Sequence, residues 1–117
     1  MKLLHIAACL LLCMSSFNVM LQADNTPAVS DQRVYLYVYQ GCPWCNRVIQ
    51  FLQDNKWSQN VVIVNASMPK HLAELKQINN NNTQCPCLVD ETVESGPLVM
   101  LESADIIRYL QQKFSQQ

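Results

Sequence analysis

The sequence predicts a small α/β domain with elements in the order β-α-β-α-β-β-α, a four-stranded mixed sheet flanked by helices. Three observations carry this. Two apolar runs, residues 34–39 and 61–64, bracket an amphipathic helical stretch, which makes the first part a βαβ unit with a right-handed crossover. Two later apolar runs, 87–89 and 98–101, are separated by a polar turn and read as a hairpin. The remaining periodic stretches have the helical repeat.

In chain order, residues 34–39 (VYLYVY) are β-branched, aromatic or Leu throughout, the pattern of a strand buried on both faces in mid-sheet. Gln40, Gly41, Cys42 and Pro43 interrupt it. Cys45, Val48, Ile49 and Leu52 then recur at helical spacing, so a helix should run to about Lys56. The run 61–64 is the second strand. Ser67 is the expected cap of a second helix with Pro69 in its first turn and Met68, Leu72, Leu75 and Ile78 as its apolar stripe. The Asn run 79–82 reads as a solvated turn. Residues 90–96 form the hairpin turn. Ser103 is the expected cap of the last helix, Asp105 suits its first turn, and Ile106, Ile107, Leu110 and Phe114 form its buried face.

The chain has 117 residues, half of them apolar and 15% charged, a composition that excludes a disordered or fibrous chain. A formal net charge of −1 gives no basic surplus, so no nucleic-acid partner is expected. Lys2 followed by the apolar run 3–12 and then by Asn18, Gln22 and Asp24 reads as a signal peptide over residues 1–23. Cleavage is placed after Ala23, with Ser15 as the other candidate. Export to the bacterial periplasm is therefore expected. The alternatives are an uncleaved anchor over 3–21 and lipidation at Cys9; only these would bring in the membrane. Residues 24–32 form a polar leader, and 33–117 the domain.

The six Cys carry most of the chemical information. Cys42-Pro43-Trp44-Cys45 falls where a strand ends and a helix begins. A helix N-terminus presents unpaired N–H groups and partial positive charge, both of which favour a thiolate on Cys42. Pro43 fits a first turn because no N–H is needed there. Cys45, one turn on, is placed to attack a mixed disulfide formed on Cys42, so the pair can reduce a disulfide or donate one. Two other readings stand beside this one: a buried structural disulfide, and a zinc site completed by Cys85 and Cys87. The redox reading is preferred because Cys87 begins a strand rather than a metal knuckle, and no metal is expected.

With the motif placed, residues 34–114 resemble a glutaredoxin, or the glutaredoxin-like N-terminal domain of glutathione transferases, and so a thioredoxin-like fold. YQGCPWC resembles the glutaredoxin active-site loop. TQCPCLVD resembles the segment around the family's cis-proline, here Pro86. MLESADIIRYL resembles the transferase-type entry to the last helix. The resemblance implies Cys42 as nucleophile and Cys45 as resolving thiol. It implies that Cys85 offers its backbone to the cysteinyl unit of glutathione and that Pro86 holds an open backbone edge; Trp44, beside the thiol, is read as a surface aromatic that shapes substrate contact, with simple packing as the alternative. Glu102 and Ser103 would grip the γ-glutamyl group, Ser103 partly through N–H groups at the helix start.

The expected function is thiol–disulfide oxidoreduction on protein or glutathione mixed disulfides, with glutathione as co-substrate and no bound cofactor. The alternatives are an exported oxidant or isomerase that does not use glutathione, and a non-catalytic module that binds glutathione or a metal. Of the other side chains, Arg47 is expected to be solvated on its helix, with support of the Cys42 thiolate as the alternative, and His71 to face solvent. Tyr35, Tyr37 and Tyr39 are expected in the core, as is Cys87. Cys85 is a candidate third redox thiol.

Overall fold

The computed structural model describes residues 32–116. The signal segment and nearly all of the polar leader lie outside them. Four strands and three helices follow in order: β1 (Val34–Val38), α1 (Pro43–Asp54), β2 (Val62–Asn65), α2 (Pro69–Ile78), β3 (Cys87–Asp90), β4 (Leu98–Met100) and α3 (Ser103–Ser115). A short 3-10 turn, Ser58–Asn60, links α1 to β2. The sheet order is β2-β1-β3-β4. β1 pairs parallel with β2, Leu36 opposite Ile63, and antiparallel with β3, Leu36 opposite Leu88. β3 and β4 form the antiparallel hairpin, with Val89 opposite Val99. This is the thioredoxin-like arrangement.

The continuous apolar run of β1 is explained by its central place. Successive side chains leave a strand on opposite faces, and each face of β1 meets a separate core. Val34, Leu36 and Val38 join Leu88 on the side covered by α1 and α3, packing with Cys45, Val48, Leu52, Ile106, Leu110 and Phe114. Trp57 stacks edge-on between Phe51 and Phe114, with both centroid distances 5.7 Å, and closes that core beyond α1. On the other face Tyr37, Cys87 and Val89 meet Ala66 and Leu75. Tyr37 is buried, and Tyr35 and Tyr39 pack half-buried against it. Cys87 is fully buried, a small apolar side chain in a core.

Several local details depart from the sequence reading. α1 stops at Asp54, capped by Asn55, and Lys56 turns away at φ 59°. The second helix is capped at Met68 and the third at Glu102, neither through a side-chain hydrogen bond, so Ser67 and Ser103 are not the caps. Ser67 instead lies where its Oγ accepts the Gln40 N–H at 3.5 Å, and Ser103 has moved one place into the helix. The apolar stripe of α2 is narrower than its spacing suggests. Leu75 alone is buried, while Met68 and Ile78 are exposed, because tyrosines already cover much of that sheet face. His71 is half-buried with Nδ1 3.1 Å from the Asn65 carbonyl oxygen. The Asn turn matches its reading: Asn80 and Asn81 take φ 51° and 66°, a region Asn tolerates.

Candidate active site

β1 ends at Val38 and the chain reverses through Gly41, whose φ of 79° suits a residue without Cβ. Cys42 follows as the N-cap of α1, with Pro43 in the first turn. The Cys45 backbone N–H donates to Cys42 Sγ at 3.4 Å. The first Cys thus occupies the position at which a capping side chain accepts an orphan N–H, with the positive end of the helix dipole facing its sulfur. Cys42 is half-buried and Cys45 fully buried, one turn inside the helix. Burial, reinforced by the hydrogen bond with Cys42, pushes the Cys45 thiol up to about 12. It is a neutral thiol at physiological pH.

The segment 84–86 crosses in front of this helix start. Pro86 follows a cis peptide bond from Cys85, at the position the sequence resemblance assigned to the cis-proline. Tyr39 anchors the approach, its hydroxyl donating to the Thr83 carbonyl at 2.8 Å. Cys85 is half-buried, and burial, with smaller repulsions from Cys45, Cys87 and Cys42, pushes its thiol up to about 12. Burial likewise raises Cys87 to about 11. Among the described residues no group of three or more His, Cys, Asp or Glu is arranged to hold a metal ion.

Between the starts of α1 and α3 lies an open cleft of about 300 Å³. Trp44 and Arg47 of α1 form one wall, residues 84–86 the floor, and residues 101–104 the other wall. The structure thus brings Trp44, Cys85, Pro86, Glu102 and Ser103, five positions singled out from sequence, around one cavity; Cys42 and Cys45 are not among its lining residues, Cys42 standing two residues before Trp44 at the start of the same helix. Trp44 is 60% exposed, so its ring lies at the cleft wall and not in the core. The Gln84 side-chain amide donates to Glu102 Oε1 at 3.4 Å. Four further residues line the cleft, and sequence reasoning assigned none of them to it: Gln84, Leu101 and Ala104 entered only as members of the quoted segments, and Arg47 was expected to be solvated, with support of the thiolate as the alternative. Helical spacing held part of the answer for Arg47: it lies three residues after Trp44 and therefore on the same face of α1.

A half-exposed sulfur capping a helix, a buried partner thiol one turn on, a cis-proline segment and a cleft together define a thioredoxin-like domain with a dithiol at its first helix start. The family described as glutathione S-transferase, N-terminal domain, matches residues 36–117, and the chain belongs to that family. Among solved structures the chain is similar to the solution structure of glutaredoxin from Brucella melitensis, with 23% identity and a TM-score of 0.46, over 77% of this chain and 89% of that one. No curated protein matches it. Fold and family support a redox or glutathione-related role.

Proposed function

We propose that the protein is a glutathione-linked thiol–disulfide oxidoreductase whose working residues are Cys42 and Cys45. The observation that carries this reading is the pairing of Cys42 at the α1 N-cap with Cys45 buried behind it. The nearer sulfur is half-buried at the helix start; the farther one is held in reserve as a protonated thiol.

In the forward direction Cys42, as its thiolate, attacks one sulfur of a substrate disulfide. A new S–S bond forms on Cys42 and the other half leaves as a thiolate that takes up a proton. Cys45 then gives up its proton and attacks Cys42 Sγ. This expels the second half of the substrate and closes the Cys42–Cys45 disulfide. Two molecules of glutathione restore the dithiol and leave as glutathione disulfide. When the adduct on Cys42 is glutathione itself, one external glutathione thiolate resolves it without Cys45. The cleft between Trp44 and Ser103 is the proposed glutathione seat. Its floor at Cys85 and Pro86 supplies backbone to the cysteinyl unit, and Glu102 and Ser103 receive the γ-glutamyl end. Protein disulfides are the second substrate class, and export to the periplasm the proposed setting.

The test is turnover of a small glutathione mixed disulfide, coupled to glutathione reduction, by purified reduced protein. Glutathione-dependent turnover supports the reading. Disulfide exchange that proceeds with dithiols but ignores glutathione would reassign the protein as an oxidant or isomerase independent of glutathione.

A further inference from the structure

The cleft between the starts of α1 and α3 carries two opposite charges that do not neutralise each other. Arg47 stands on α1 one turn beyond Trp44, and its guanidinium makes no hydrogen bond or ion pair among the described residues. Glu102 stands across the cleft, where its carboxylate takes the Gln84 amide, a neutral donor, at 3.4 Å. Glu102 also begins α3 without a side-chain cap, and the first α3 backbone bond runs from the Ile106 N–H to the Glu102 carbonyl at 2.8 Å. The N–H groups of Ser103, Ala104 and Asp105 therefore lack intrahelical acceptors. Asp105 turns its carboxylate to Arg108, at 3.2 Å.

This charge pattern selects a ligand. A simple carboxylate would satisfy Arg47 and the helix start but would leave Glu102 facing an anion. A simple cation would satisfy Glu102 and leave Arg47 unmet. A free α-amino acid end, with ammonium and carboxylate on one carbon, meets both walls at once. In glutathione only the γ-glutamyl end has that form; the glycyl end is a carboxylate alone. Resting on the glutathione reading above, we propose that Arg47 is the specificity-determining residue for the γ-glutamyl end. It holds the α-carboxylate together with the N-terminus of α3, while Glu102 receives the ammonium. Arg47 is a positioning residue: it selects and orients the thiol donor and takes no part in the sulfur exchange.

The experiment compares wild type, Arg47→Gln and Arg47→Lys with three reductants: glutathione, glutathione amidated at its γ-glutamyl α-carboxylate, and glutathione esterified at its glycyl carboxylate. Arg47 is exposed, so the variants are expected to fold, which circular dichroism checks. Arg47→Gln should raise the KM for glutathione about tenfold, the scale of one lost charge-assisted hydrogen bond, and leave kcat within about twofold. Arg47→Lys should fall between the two. The α-amide should cost wild type about the same factor and cost Arg47→Gln far less, because the partner is already gone. The glycyl ester should affect wild type and Arg47→Gln alike. An unchanged KM in Arg47→Gln would overturn the proposal, as would a penalty for the glycyl ester that vanishes in Arg47→Gln. Absence of any glutathione-dependent turnover by wild type would be a different result, contradicting the functional reading itself and this assignment with it.

Discussion

Lys113 Nζ lies 3.0 Å from Asp90 Oδ2, joining the last turns of α3 to the end of β3. Asp90 has no solvent exposure, and its carboxylate also accepts from the Thr92 N–H and hydroxyl and from the Tyr109 hydroxyl. Burial alone would raise its pKa. The hydrogen bonds from Thr92, Tyr109 and Lys113 outweigh burial and hold the group at about 2, against an ordinary 3.8. A carboxyl depressed on folding stabilises the fold fully above its unfolded value and loses that contribution as pH falls through the folded one. Stability should therefore decline between about pH 4 and pH 2 by on the order of 2 kcal/mol from this group. Urea unfolding across that range checks it. Asp90→Asn should be destabilised at pH 7 and should show a flatter acid profile than wild type.

The cysteines should separate by reactivity. Cys42 is half-buried with its sulfur at a helix start, whereas Cys45 and Cys87 are fully buried. Burial holds the Cys45 and Cys85 thiols near 12 and Cys87 near 11. Brief alkylation of reduced native protein at pH 7, read by peptide mass spectrometry, should label Cys42 first. Cys85 should follow slowly, and Cys45 and Cys87 only after unfolding.

Trp44 contributes to the cleft and not to the core, being 60% exposed. Trp44→Ala should change unfolding free energy by no more than about 0.5 kcal/mol. It should raise the KM for a protein disulfide severalfold, since a large apolar contact beside Cys42 is lost. A drop in thermal stability with unchanged KM would assign the ring to packing.

Much of the fold was legible because each signal was local and repeated. The run of β1 has no polar interruption because both its faces are covered, and the Cys-Pro-Trp-Cys loop sits at a strand-to-helix junction that pattern alone locates. What stayed hidden depended on distant partners. Asp90 reads as the first residue of a polar turn, yet it ends β3 opposite Leu98, buried by Tyr109 and Lys113 from a helix about twenty residues on. Arg47 reads as a solvated helix residue, and its place on the wall of a cleft shows only once the start of α3 is brought across from it. The caps at Met68 and Glu102 were missed because Ser67 and Ser103 are the better capping side chains; the backbone enters each helix one residue away from them.

The central claim, that Cys42 is the attacking thiol of a glutathione-linked enzyme and Cys45 its resolving partner, is tested most directly by one paired assay. Cys42→Ser and Cys45→Ser are each measured for glutathione-coupled reduction of a small mixed disulfide and for dithiol reduction of a protein disulfide. Cys42→Ser should lose both activities, because a hydroxyl stays protonated at neutral pH and cannot replace the thiolate. Cys45→Ser should retain the glutathione-coupled activity, with external glutathione resolving the adduct on Cys42, and should lose dithiol reduction of the protein disulfide. Loss of the small-substrate activity in a well-folded Cys45→Ser protein, or its survival in Cys42→Ser, would contradict the account.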